Sequence, residues 1–462
     1  MATTKIINPA TEQVIKEVAI QGAEELDAAV ARALAAGPAW RAVAPSDRAR
    51  LLRRFAGLVE DHLEELAALE TANVGKPISE SRDEVGMVAE VFYFYAGAVD
   101  KHRGATVPVA GGVDMTFHEP LGVVGAIVPW NFPIAIMSWK VGPALATGNT
   151  IIVKPAEITP LTALRLAELG LEAGLPEGVL QVVTGKGSVL GTRLSEHPDV
   201  AKVAFTGSTE VGREVMARAS GTIKRVTLEL GGKSASVIFA DADLEKAAAS
   251  TPGGVFANAG QDCCARSRAL VQASVFDRYL ELLADAVAAW TVGDPTDPAT
   301  KMGPLVTAAH RDVVAGFLAP GMGGSPDQPV ALAHRGPVPD GPGFWHPVSV
   351  VAPADPAWRM AREEIFGPVL AVIPFDDEEE AVRLANDTPF GLSGSIWTRD
   401  SARSLRMARA VQAGNLSVNS NSSVRVQTSF GGMKQSGFGR ELGLEALAAY
   451  SEVKNVFVST VD

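Results

Sequence analysis

Residues 149–185 read NTIIVKPAEITPLTALRLAELGLEAGLPEGVLQVVTG. A branched apolar run, Ile151–Val153, precedes a stretch whose apolar residues recur at helical spacing, and GVLQVVTG follows as a second branched run. Thr159 is expected as the N-cap of the helix and Pro160 as its first residue. The same alternation runs outward from 122 to 240, through GVVGAIV, SVLGTRLSEH, AKVAFTG, STEVGREVMARAS, RVTLELGG and SASVIFA. Strands alternating with helices predict an α/β fold with a parallel sheet covered on both faces. Ligands then bind at the carboxyl ends of its strands.

Before this region the chain reads as helices, AEELDAAVARALAAG and a long run from Ser46 to Gly75, with Ser46 and Asp47 as caps for the second. After 255 the α/β theme returns: SVFDRYLELLADAVAAW and DEEEAVRLAND as helices, GPVLAVIPF, SGSIWT and NLSVN as strands. Residues 319–343, rich in Gly and Pro, are expected as surface loops. A length of 462 residues calls for two or three domains.

A net charge of -12 argues against a nucleic-acid partner, because phosphate binding needs a basic surface. Two cysteines in the whole chain argue against a disulfide-stapled secreted protein, and the first residues show no signal-peptide pattern. The uncharged run Pro120–Trp139 is long enough to span a membrane, but Pro129, Asn131 and Pro133 break it in the middle. A buried strand, a turn and an apolar helix fit it better, with no membrane contact and a cytoplasmic location.

Two glycine-rich turns compete for a nucleotide. GKGSVLG, 185–191, is one residue too long for the dinucleotide fingerprint. FTGSTEVG, 205–212, offers Gly207 for a tight turn and Ser208 at a helix N-terminus, which attracts phosphate. Each alone reads equally as a plain strand-to-helix turn. Glu157, just past a strand end, can hold both hydroxyls of a ribose and repel a 2′-phosphate, favouring NAD over NADP. Lys154 beside it pulls the other way.

Both cysteines lie in NAGQDCCARSR, 258–268. Adjacent cysteines bridge only with strain, and a zinc site needs about four ligands, for which no cluster is near. An inert core cysteine and a nucleophile remain, evenly matched.

PWNFP (129–133), LELGG (228–232), NAGQDC (258–263), EEIFGPV (363–369) and FGGMKQSGFGRELG (430–443) occur in this order. Together they resemble the aldehyde dehydrogenase superfamily, over almost the whole chain. The resemblance implies a Rossmann-type NAD-binding domain (1–101 and 121–230), a second α/β catalytic domain (231–430), and a small β element at 102–120 and 441–462 that bridges subunits of a dimer or tetramer. It makes Cys263 the nucleophile, Asn131 the oxyanion donor and Glu229 the general base. It puts Glu364 and Phe366 on the nicotinamide side, Lys154 and Glu157 on the adenosine ribose, Gly207 and Ser208 at the pyrophosphate, and Trp130 beside the cofactor. No metal is implied. The activity implied is NAD-dependent oxidation of an aldehyde to a free acid. Relatives that acylate coenzyme A usually lack the glutamate that stands here as Glu229, and a catalytically idle relative would not be expected to keep all three reacting residues.

The resemblance further implies a substrate pocket lined by the helix at 91–97, with Phe92 and Tyr95, by Trp139, by Asp262 and by 420–430, with Arg425 and Phe430. NAGQDC and FYFYAGA resemble the aminobutyraldehyde dehydrogenase subgroup, so the expected substrate is an ω-aminoaldehyde whose ammonium meets Asp262. Asp262 capping a backbone turn is the plainer alternative. Arg425 facing the pocket would instead favour an acidic semialdehyde such as succinate semialdehyde. An unselective aromatic tunnel for aliphatic or aromatic aldehydes is the third reading.

Overall fold

The alternation from 122 to 230 supplies five strands of one six-stranded sheet, ordered Gly437–Phe438, Arg225–Glu229, Val200–Thr206, Val123–Ile127, Thr150–Lys154, Leu180–Val182, whereas SASVIFA, expected to continue it, becomes Ala235–Ile238 in a different sheet. All neighbours are parallel except Gly437–Phe438. Every residue of Val123–Ile127 and Thr150–Lys154 is buried, as a sheet covered on both faces requires. From Val123–Ile127 the chain moves to one side and returns on the other, which opens a crevice at the carboxyl ends. The computed structural model describes residues 2–319 and 332–461, so residues 320–331 of the expected loop stretch lie outside the described residues.

A second sheet of seven strands holds His334–Arg335, Ser349–Val351, Val369–Phe375, Arg268–Gln272, Ala235–Ile238, Ser393–Trp397 and Asn415–Val418, in that order. It is parallel apart from the first pair and has its own apolar core. Ser451–Ser459, Gly112–Pro120 and Thr106–Val109 form a separate antiparallel sheet, with Phe117, Val453 and Phe457 exposed. The segment 441–450 does not join this arm. Leu442, Ala446, Leu447 and Tyr450 pack into the core of the first sheet and the N-terminal helices.

Several local expectations shift. The first residues form a hairpin, Thr3–Ile7 with Val14–Ala19, ahead of the helices. The long helical run divides at His62 into Pro45–Asp61 and Leu63–Val74, and ends at Gly75, whose φ of +89° suits a residue without a side chain. Its start is Pro45 rather than a Ser46 or Asp47 cap, because proline lacks the N–H that the first helical position leaves unused. Thr159 is not an N-cap. Its N–H closes a turn on the Ala156 carbonyl, Pro160 takes the cap position, and the helix is Leu161–Glu172.

Candidate active site

The two sheets meet end to end. Thr206 and Glu229 finish strands of the first sheet, while Ala235, Arg268 and Ser393 begin strands of the second. Between these ends lies a cavity of about 380 Å³. Cys263, Glu229, Asp262, Trp139 and Phe430 all face it.

Cys263 follows a turn of unusual backbone. Asn258, Ala259 and Gly260 have φ of 47°, 55° and 70° in succession. At Gly260 a side chain would meet the Gly367 carbonyl at 2.3 Å, so only glycine fits. The strained pair before it is held by hydrogen bonds: the Asn258 N–H donates to Glu80 (2.9 Å) and its amide to the Asn131 carbonyl (2.8 Å). Asn131 in turn donates one amide hydrogen to the Gln261 carbonyl (2.9 Å) and keeps the other. Cys263 is half-buried beside the cavity, whereas Cys264 is buried. Asp262 accepts the Cys264 N–H at 2.8 Å, so it caps the turn while one flank faces the cavity. The contact with Cys264, then burial, pushes the Cys263 thiol well up, with Asp262 and Glu364 adding to it.

Across the cavity Glu229 is buried, and neither carboxylate oxygen has a partner. Burial, and then Glu441, raises its carboxyl well above the ordinary range. Glu441 is ion-paired with Lys140, which also donates to the Thr206 hydroxyl at 2.7 Å. Sequence reasoning missed this pair. Its signal was Lys140 itself, a lone charge in the apolar helix Pro133–Ala146, which needs a buried partner.

On the cofactor side, Trp130 packs edge-on against Phe366, with centroids 5.2 Å apart, and equally against His310, which was not anticipated. The Phe366 carbonyl pairs with His310 Nε2 at 2.7 Å and holds Phe366 at φ 57°. Glu364 accepts the Gly232 N–H at 2.8 Å, and burial pushes its carboxyl up to about 7. Glu157 accepts the Gly187 N–H at 2.8 Å. Lys154 is buried beside it and pushed down to about 8 by that burial. Thus both glycine turns reach the sheet's carboxyl edge. The Gly207 N–H bonds the Glu229 carbonyl, and Ser208 caps the helix Thr209–Ala219 by accepting the Val211 N–H at 3.3 Å. An edge with a ribose-type acid at one end, a capped helix N-terminus in the middle and an aromatic slot at the other fits a dinucleotide.

The substrate side departs from expectation. Phe92 is fully buried and stacks on Phe55 with centroids 4.3 Å apart. Tyr95 is equally buried, its hydroxyl donating to the Gly443 carbonyl at 3.2 Å. Neither reaches the cavity. The helix is Ile78–Ala98, and its earlier turns supply the wall: Glu80, Asp83, Glu84 and Met87, spaced as one helical face. Trp139 and Phe430 do face the cavity, edge-to-face at 5.2 Å. Arg425 is exposed and is not part of the cavity wall; it lies in an adjoining surface groove with Arg82 and Glu90, which shares Asp83, Met87 and Val424 with the cavity.

Residues 2–456 match the aldehyde dehydrogenase family, and the chain belongs to it, as an oxidoreductase acting on aldehydes. It is 42% identical to the NADP/NAD-dependent aldehyde dehydrogenase PuuC of Escherichia coli K12, covering 99% of this chain and 92% of that protein. It is 39% identical to the betaine aldehyde dehydrogenase of Bacillus subtilis, covering 98% and 94%. The crystal structure of an aldehyde dehydrogenase from Bacillus cereus in complex with NAD+ superposes with a TM-score of 0.96 at 39% identity, covering 100% of this chain and 94% of that one. No helix among the described residues is long and apolar enough to cross a membrane.

Proposed function

We propose that Cys263 and Glu229 carry out an NAD-dependent oxidation of an ω-aminoaldehyde, such as 4-aminobutyraldehyde, to the free acid. The observation that carries this reading is one cavity with a thiol on one wall, an unpartnered carboxyl on another, and further acids set among the apolar residues of the rest. The Cys263 thiolate adds to the aldehyde carbon and forms the C–S bond. The free amide hydrogen of Asn131 and the Cys263 N–H donate to the oxygen that becomes negative, and one such donor is typically worth about 2.7–4 kcal/mol. NAD, when bound, supplies the hydride acceptor, and the acyl group is left on Cys263 as a thioester. Glu229 takes a proton from water, the water oxygen bonds the acyl carbon, the C–S bond breaks, and the thiolate leaves. Lys154, Glu157, Gly207, Ser208, Trp130, Glu364 and Phe366 would hold the cofactor. Glu157 disfavours the extra phosphate of NADP.

The acidic wall supports a cationic substrate tail. Glu80, Asp83, Glu84 and Asp262 line the cavity together with Glu229 and Glu441. Glu84 and Glu441 are already ion-paired with Lys76 and Lys140, so an ammonium would be met by Asp83, Glu80 and Asp262, and Arg425 lies outside the cavity wall. The reading includes a cytoplasmic enzyme that assembles as a dimer or tetramer, because the arm of Ser451–Ser459 exposes strand edges and apolar side chains. NADH formation with 4-aminobutyraldehyde, succinate semialdehyde, a neutral aliphatic and an aromatic aldehyde tests the substrate. The amino compound should have the highest kcat/KM. A preference for the semialdehyde, or equal rates, would refute the cationic tail.

A further inference from the structure

Arg266 has no part in the chemistry above, yet it is among the largest fully buried side chains of the protein. It stands three residues after Cys263. Its guanidinium donates to the Cys264 carbonyl, to the Ser395 hydroxyl (3.0 Å), to the Gly394 carbonyl (3.3 Å) and to the Ser423 hydroxyl. Every one of these acceptors is neutral. Burying a cation without a bonded carboxylate is strongly unfavourable, so its place calls for a reason.

The reason lies in what else faces the nucleophile. Asp262 and Cys264 flank Cys263 on its own turn, Glu364 approaches from the loop before Val369–Phe375, and Glu229 lies across the cavity with Glu441 behind it. Glu80, Asp83 and Glu84 come from the helix Ile78–Ala98. All of these oppose a thiolate. Of the nearby lysines, Lys140 is paired with Glu441 and Lys76 with Glu84, while Lys233, close to Glu364, is buried without a partner and pushed down by that burial to about 7. Among the described residues that line the cavity, Arg266 is the one cation.

We propose that Arg266 is the fixed charge that lets Cys263 ionise, a positioning residue anchored to the Cys264 carbonyl and acting on the reaction through the thiol. This rests on Cys263 being the nucleophile. The attraction is mutual. Burial holds the guanidinium below its usual range, and Cys264, Asp262 and Cys263 oppose that lowering; the same field favours a thiolate over a thiol. The bond to Ser423 also ties the substrate loop to the nucleophile turn.

The test separates charge from hydrogen bonding. In the full-length protein carrying Cys264→Ser, the pH dependence of Cys263 alkylation by iodoacetamide is followed by mass spectrometry. Arg266→Gln keeps hydrogen-bonding ability and loses the charge. It should move the alkylation midpoint up by about one pH unit or more, and slow alkylation about tenfold at neutral pH. Arg266→Lys keeps the charge and loses most of the bonds, and its midpoint should stay within about half a pH unit of the parent. An unmoved midpoint in Arg266→Gln, or an equal shift in both variants, overturns the proposal. Should Arg266→Gln not fold, a shift in Arg266→Lys beyond that half unit overturns it alone. Turnover by Cys263→Ala would instead refute the nucleophile itself. An inactive Cys263→Ala with an unmoved Arg266→Gln sinks only the role of Arg266.

Discussion

At one end of the cavity, Cys263 and Asn131 are carried by backbone turns, and at the other, Asp83 and Met87 stand on one face of a helix. The first end is fixed by side-chain amides bonded to main-chain carbonyls and by positive φ angles from Asn258 to Gly260, which leave the reacting groups little freedom. The second depends only on which side chains a regular helix turns inward. Chemistry and choice of aldehyde can therefore change separately. A substitution at Asp83 or Met87 alters what binds, while one in the turn, or at Glu80 whose carboxylate holds the Asn258 N–H, alters whether anything reacts.

The sharpest break in this comparison is at Cys263. Cys263→Ala should lower turnover about 10⁴-fold or more, while Cys264→Ala, which removes a buried neighbour, should keep most of it. Steady-state NADH formation decides between them, and the reverse result would reassign the nucleophile. Glu229→Gln comes next. Rapid mixing should show one burst of NADH, then a steady rate about 10²–10⁴-fold below the parent. Glu229 acts only when ionised, and burial with Glu441 raises its carboxyl. In the parent enzyme the steady rate should therefore climb with pH through that raised range. A steady rate that falls with pH would remove Glu229 as base.

A third substitution asks where the helix stops being wall and becomes core. Phe92→Ala removes a ring stacked on Phe55, and a loss of this kind typically costs about 3–5 kcal/mol. Thermal unfolding should shift down, with KM for every aldehyde unchanged. A raised KM at full stability would return Phe92 to the pocket.

That position also marks how far the sequence could be read. The alternation from 122 to 230 marked the strands of the first sheet because covered parallel strands leave nearly continuous apolar runs, as in Val123–Ile127, but the same run in SASVIFA did not show that Ala235–Ile238 crosses to the second sheet. Cys263, Glu229 and Asn131 were legible because each sits in a short motif whose backbone is special. The hairpin Thr3–Ile7 with Val14–Ala19 was not, because most of its residues are partly or fully exposed and it carries only a faint apolar pattern. Phe92 and Tyr95 were misplaced because aromatic residues suggest a pocket, while the helix phase that turns Glu80 and Asp83 inward instead is set by packing against distant elements. The Lys140–Glu441 pair spans 301 positions, and no local pattern could join its members.

The smallest effect expected is at Asp83, and it tests the helix face most directly. Asp83 is exposed at the cavity edge, where water screens its charge, so its pull on an ammonium is worth about 0.2–1 kcal/mol. Asp83→Asn should therefore raise KM for 4-aminobutyraldehyde only about 1.4- to fivefold, leave kcat alone, and leave a neutral aldehyde untouched. Added salt should shrink the difference further, because an exposed pair is screened. Asp262 behaves otherwise. Its carboxylate already accepts the Cys264 N–H, so Asp262→Ala removes a bond of the nucleophile turn as well as the charge, and kcat should change for charged and neutral aldehydes alike. If Asp83→Asn lowered kcat with a neutral aldehyde too, the helix face and the reacting end would be coupled, and the separation of choice from chemistry would fail.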